Sequence, residues 1–169
     1  MVDIDHFKSI NDTYGHDTGD QVLRLVASKL ARVGGGGEAF RVGGEEFTIL
    51  FPGKDAGGVA DYLELLRLNI ENSAFRVRSG EERRKTPRNQ ERRAPSKRKF
   101  TVGARATKSL SVTVSIGFAE SRLKANIHGI IERADRALYR AKNSGRNRIE
   151  LASEEPEPRP RKSKKKMRV

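Results

Sequence analysis

Val112, Val114, Ile116 and Phe118 alternate with Ser111, Thr113, Ser115 and Gly117. Side chains on a β-strand point to opposite faces in turn, so this stretch predicts a half-buried strand with one face against a core. The chain is thus committed to a sheet, and candidates to cover it lie on both sides in sequence. Residues 19–33 place Val22, Leu23, Val26, Leu30 and Val33 on one helical stripe that ends at Gly34. Residues 56–72 do the same through Val59, Leu63, Leu66 and Ile70, and Ile127, Ile130, Ile131, Ala134, Leu138 and Ala141 mark a third helix closed near Gly145. Phe40-Arg41-Val42 and Phe47–Phe51 read as strands joined by a Gly43-Gly44-Glu45-Glu46 hairpin turn. Asp3-Ile4-Asp5 falls where a strand ends, and Arg148–Leu151 forms a last strand. Strands and helices alternate, which predicts an α/β (α+β) fold of ferredoxin-like type: a central, mostly antiparallel sheet flanked by helices.

The chain has 169 residues and a net charge of +13, and the charge is uneven. Residues 76–108 hold 13 basic against 3 acidic side chains, and residues 152–169 hold 7 against 3. The rest is close to neutral, so the basic character belongs to two segments and not to the fold. Residues 78–99 contain no apolar side chain larger than alanine, and the stretch from 153 carries three prolines and ends in a lysine run. Neither can bury enough apolar area to offset the entropy of ordering, so both are expected to be mobile. The expected domain is residues 1–151, with 76–108 as a basic insertion and 152–169 as a disordered basic tail. The absence of cysteine excludes a disulfide scaffold, a Cys-ligated zinc site and thiol catalysis. No apolar run reaches the ~20 residues of a membrane span, and the first residues lack a signal-peptide pattern, so a cytoplasmic location is expected.

Three places could carry chemistry. Alternation puts the Asp3 and Asp5 carboxylates on one face with the Ile4 carbonyl nearby, a hard-oxygen set suited to Mg²⁺ held with substrate phosphates; two solvated acids would look the same. At Gly43-Gly44-Glu45-Glu46 two glycines let a ligand approach the backbone and two acids follow, although a plain turn with exposed acids fits as well. Lys142 and Arg146, in and just beyond the last helical turn, suit a polyphosphate or act as ordinary partners of the helix dipole.

Together and in order, these pieces are more specific. Asp3-Ile4-Asp5-His6-Phe7-Lys8-Ser9-Ile10-Asn11-Asp12 leads into Gly15-His16-Asp17-Thr18-Gly19-Asp20. Then come Arg41-Val42-Gly43-Gly44-Glu45-Glu46-Phe47, Val114-Ser115-Ile116-Gly117, and Ala134-Asp135-Arg136-Ala137-Leu138-Tyr139-Arg140-Ala141-Lys142-Asn143-Ser144-Gly145-Arg146-Asn147. The chain resembles the GGDEF family of diguanylate cyclases, in the GGEEF variant, over residues 2–75 and 110–151.

That resemblance implies a palm-type nucleotide cyclase fold and the condensation of two GTP molecules into cyclic di-GMP with release of two pyrophosphates. It implies that Asp3, the Ile4 carbonyl and Glu45 hold Mg²⁺, with Mn²⁺ as a substitute. Asn11 and Asp20 would read the guanine edge. The backbone after Asp5, at Phe7, and Lys8 would meet the β- and γ-phosphates together with Lys142 and Arg146, while Gly43 and Gly44 let the nucleotide approach. Glu45 is also the family's candidate to help deprotonate the 3′-hydroxyl, and Glu46 would assist nucleotide or metal placement. Each domain would bind one GTP, so catalysis would need a homodimer of facing half-sites. His6 and His16 are expected to fill local hydrogen-bonding roles rather than to act as ligands.

The sequence departs from the family pattern in three ways. An Arg-x-x-Asp product-inhibition motif would fall on Gly34 and Gly37, inside four consecutive glycines, so inhibition through that site is not expected. The family's usual first helix and the strand before Asp3 are absent, which implies an N-terminal truncation and a missing upstream sensor or dimerisation module. The insertion offers anionic contact with nucleic acid or membrane, but without interleaved aromatics between Arg76 and Lys99 it is read first as a solvated loop. Two other functions compete with the cyclase: a catalytically inactive GTP- or cyclic-di-GMP-responsive module acting through protein contacts, and an anion-binding protein.

Overall fold

A computed structural model describes residues 1–73, 75–76, 109–121 and 126–153. The elements run β1 (Val2–Ile4), α1 (Phe7–Tyr14), α2 (His16–Leu30), β2 (Glu38–Gly43), β3 (Glu46–Leu50), α3 (Ala56–Glu71), β4 (Phe75–Arg76), β5 (Ser109–Leu110), β6 (Val114–Phe118), α4 (Ile127–Asn143) and β7 (Ile149–Leu151). Five strands form one sheet in the order β2-β3-β1-β6-β7, and β4 pairs with β5 in a separate ribbon. Every neighbouring pair in the large sheet is antiparallel except β6 with β7, which α4 joins as a crossover. This is the expected flanked, mostly antiparallel sheet.

The three expected helices form within a few residues of their stripes, and caps explain two of the starts. Asp55 accepts from the Gly58 N–H and Asn126 from the Gly129 N–H, each at 2.6 Å. One face of the sheet carries Val2, Ile4, Phe47, Val114 and Ile116 into a core shared with Val22, Val26, Leu30, Leu63 and Ile70.

The other face of β6 differs from expectation. It is buried too: Ser115 is fully enclosed and Gly117 lies under α4, so β6 is covered on both sides. A Cβ on Gly117 would overlap the backbone of Ala134 and Leu138. The buried α4 positions Ala134, Ala137 and Ala141 are small for the same reason: helix and strand touch almost backbone to backbone. Small residues on the second face therefore marked close packing and not exposure.

The hairpin turn is tighter than expected. Its loop is Gly44-Glu45 alone, with Gly44 at φ +49, while Gly43 and Glu46 already pair across a bulge. α1 is an added element. Only Phe7 and Ile10 on it are buried, with Tyr14 packed against the core edge. The basic segment 76–108, apart from Arg76, and the tail 152–169, apart from Ala152 and Ser153, lie outside the described residues. Among the described residues no helix is long and apolar enough to cross a membrane.

Candidate functional site

β1 ends in the middle of the sheet, and its last residues meet three different elements. Asp3 pairs with Glu46 of β3 on one side and with Ser115 of β6 on the other. Its side chain is 6% exposed, and the carboxylate lies 2.7 Å from the Lys142 ammonium at the end of α4. Burial holds the Asp3 carboxyl above its ordinary value; Lys142 opposes that, and Glu46 and Asp5 add to it. Glu45, at the hairpin tip, is raised as well, first by burial and then by the charge of Asp3, against the pull of Lys142. The Ile4 N–H donates to the Glu45 carbonyl at 3.3 Å, whereas the Asp5 N–H turns to Thr113. Backbone groups of one strand residue face the same edge, so the Ile4 carbonyl also opens toward the hairpin. Arg41 fixes that tip: Nε and Nη2 donate to the Gly44 carbonyl at 3.1 and 2.7 Å.

Two acids within the field of one ammonium, with a backbone carbonyl nearby, are oxygen donors of the kind a divalent ion takes. Among the described residues no three His, Cys, Asp or Glu side chains converge into a complete metal cage. That suits Mg²⁺, which binds through one or two carboxylates plus substrate phosphates. Such an ion would relieve the repulsion from Asp3 that, after burial, raises Glu45.

Directly after β1, His6 adopts φ +57 and α1 begins without a side-chain cap. The histidine acts through its backbone turn, and its ring forms no hydrogen bond among the described residues. His16 opens α2, where it is exposed. The uncapped first turn of α1 leaves the N–H groups around Phe7 and Lys8 free for an anion, with the helix dipole behind them. Lys8 is exposed and Phe7 is buried below it.

At the other end of α1, Asn11 lies against Gly19, the residue before exposed Asp20. A Cβ on Gly19 would overlap Asn11 Oδ1. That oxygen is buried and has no hydrogen-bond partner, an unmet acceptor beside a free carboxylate. Asn11 and Asp20 thus form one locus, and Asp3, Glu45, Glu46 and Lys142 another, with α1 between them. Arg146 leaves the end of α4 in a left-handed conformation, φ +63, and its guanidinium is exposed and unpaired among the described residues.

Asp5 does not join the acidic cluster as a ligand. It accepts from Thr113 Oγ1 at 2.8 Å, Ser115 Oγ at 2.6 Å and the Asn147 N–H at 3.0 Å, so both of its oxygens are engaged by the protein. Asn147 continues the chain of bonds: its Nδ2 donates to Glu71 at 2.7 Å and its Oδ1 accepts from Arg67 Nη1 at 2.8 Å. The sequence offered one sign of this network, since Arg67 occupies the apolar stripe of Leu63, Leu66 and Ile70.

The family model described as "Diguanylate cyclase, GGDEF domain" matches residues 1–87 and 80–148. The chain belongs to the GGDEF domain family. This GGDEF chain is 36% identical over 151 residues to the diguanylate cyclase VdcA of Vibrio cholerae, covering 88% of the chain and 37% of that protein. It is 34% identical to the response regulator PleD of Caulobacter vibrioides, covering 88% of the chain and 28% of that protein. It therefore spans roughly a third of the length of these relatives. Among solved structures, the GGDEF domain of DgcB from Caulobacter crescentus, in complex with c-di-GMP, superposes with a TM-score of 0.70 at 38% identity, covering 89% of this chain and 74% of that one. The active GGEEF domain of a diguanylate cyclase from Vibrio cholerae does so with a TM-score of 0.67 at 28% identity, over 91% and 81%. Diguanylate cyclases with this domain depend in general on a divalent metal, and GGDEF domains act as dimers.

Proposed function

We propose that residues 1–151 form the catalytic domain of a cytoplasmic diguanylate cyclase, condensing two GTP into cyclic di-GMP across a homodimer. The observation that carries the reading is the pairing of β1 with the hairpin, which brings Asp3 alongside the strand that follows Glu45, with Lys142 on Asp3 and the uncapped start of α1 next in the chain. Asp3, the Ile4 carbonyl and Glu45 would hold Mg²⁺ or Mn²⁺, which would lower the charge on the attacked α-phosphate. The α1 N-terminus at Phe7 and Lys8, with Lys142 and Arg146, would hold the β- and γ-phosphates. Lys142 would then exchange its carboxylate partner for phosphate oxygens. Exposed Gly43 and Gly44 let the nucleotide lie along the hairpin, and Glu46 sits beside it. The unmet Asn11 oxygen accepts an N–H from guanine, and Asp20 takes a second one. In each half-reaction the 3′-oxygen of one GTP forms a bond to the α-phosphorus of the other, and the bond to pyrophosphate breaks. The proton leaves toward solvent or the Glu45 carboxylate.

The test is incubation with GTP and Mg²⁺ at low and high protein concentration, with the products separated by chromatography. Cyclic di-GMP that rises faster than linearly with protein and disappears in Glu45→Gln supports the reading. GTP that stays intact at high concentration, or product that persists in Glu45→Gln, overturns it.

A further inference from the structure

The turn after α4 holds two successive non-glycine residues in the left-handed region, Arg146 at φ +63 and Asn147 at φ +46. Asn adopts this region more readily than Arg, but two such residues in succession are disfavoured, so the surroundings must impose them. Hydrogen bonds fix the turn from three directions. The Arg146 N–H donates to the Ala141 carbonyl at 2.9 Å, closing the end of the helix. The Arg146 carbonyl accepts from Arg148 Nε at 3.3 Å. The Asn147 N–H is held by Asp5, the residue that follows β1 and lies two positions after Asp3. The Asn147 side chain is gripped on both atoms by α3, through Arg67 and Glu71.

Arg67 is itself buried, with side-chain exposure of 10%, and bridges Glu64, Glu71 and Asn147. A buried guanidinium is costly unless its fork is filled, and here Glu64, Glu71 and the Asn147 oxygen fill it. Neither Asn147 nor Arg67 has a place in the proposed chemistry. What the network fixes is the backbone from which the free Arg146 guanidinium projects.

We propose that Asn147, clamped by Asp5, Arg67 and Glu71, is a positioning residue that aims Arg146 at the triphosphate and registers it against the strand carrying Asp3. This rests on the phosphate role given to Arg146 above. A long side chain loses rotamer freedom when it engages a ligand, and a fixed origin lowers that cost. Releasing the clamp therefore weakens nucleotide binding only through Arg146.

The experiment is a double-mutant cycle on the affinity of the full chain for GTP in Mg²⁺, read by calorimetry with the α,β-methylene analogue of GTP, whose bridge cannot be cleaved, so that binding is measured apart from turnover. Asn147→Gly keeps the left-handed turn accessible, so the protein folds, yet it removes both side-chain anchors. Glu71→Ala loosens the clamp from α3. Asn147→Gly should weaken GTP binding by about fivefold, Arg146→Ala by about tenfold, and the double variant no more than Arg146→Ala alone. Glu71→Ala should show the same dependence on Arg146. A purely structural Asn147 would lower the melting temperature but leave the affinity of the folded protein unchanged; that result overturns the proposal. So does an Asn147→Gly loss that persists in full when Arg146 is already alanine. If Arg146→Ala binds GTP as the parent does, the phosphate role of Arg146 falls, and the positioning role falls with it.

Discussion

The Lys142 ammonium sits 2.7 Å from Asp3 Oδ2, so the last turn of α4 closes on the end of β1. Burial outweighs this contact and keeps the Asp3 carboxyl above its ordinary value of 3.8. The folded chain thus retains a proton that the unfolded chain has already lost, and the Asp3 contribution to stability is full below 3.8 and is lost as the pH rises through the raised value. Asp3→Asn should gain stability relative to the parent as pH climbs through that window and hold the gain above it, while cyclase activity is abolished. Urea melts at stepped pH check this. A difference independent of pH would mean that the carboxylate ionises in the fold without penalty.

Gly117→Ala tests the approach of α4 to β6. Its methyl would overlap backbone atoms of Ala134 and Leu138, which cannot swing away as a side-chain tip can. Destabilisation of about 2–4 kcal/mol is expected, measured by denaturant titration. A loss under about 1 kcal/mol would show that the helix can shift outward at little cost.

Gly19→Ala separates recognition from stability. Here the methyl meets only the amide end of Asn11 and the ring tip of Phe7. The amide can rotate, so the fold should lose less than about 1 kcal/mol. Under the proposed guanine contact, turning the Asn11 oxygen away removes that contact, so the preference for GTP over ATP should fall by about tenfold in competition binding. Unchanged preference would remove Asn11 from guanine recognition.

Product inhibition should be missing at the position where Gly34 and Gly37 stand. A Cβ on Gly34 would lie 2.8 Å from the Tyr62 ring, and one on Gly37 would lie 2.7 Å from Phe51. The two rings occupy the space that longer side chains would need. Turnover should be unaffected by micromolar cyclic di-GMP; half-inhibition below that range would reveal another inhibitory site.

What could be read from sequence follows from how local each cause is. The stripes of α2, α3 and α4 are periodic within one element, and the glycine pair announced the hairpin. α1 was missed because only Phe7, Ile10 and Tyr14 carry its pattern, and a left-handed His6 starts it in place of a capping side chain. β6 was read as half-buried because Ser115 and Gly117 look like solvent-facing residues. Their burial depends on Asp5 and α4, which are distant in sequence. The same holds at the site: Asp3, Glu45 and Lys142 stand out in ordered motifs, whereas the engagement of Asp5 by Thr113, Ser115 and Asn147 depends on residues more than a hundred positions away.

The β4–β5 ribbon pairs Phe75 with Leu110 and Arg76 with Ser109, outside the five-stranded sheet. The chain therefore departs for residues 77–108 and returns at neighbouring points, and no strand of the main sheet depends on how far it travels between them. This junction works as a splice point: a change of length there leaves the register of the five-stranded sheet untouched.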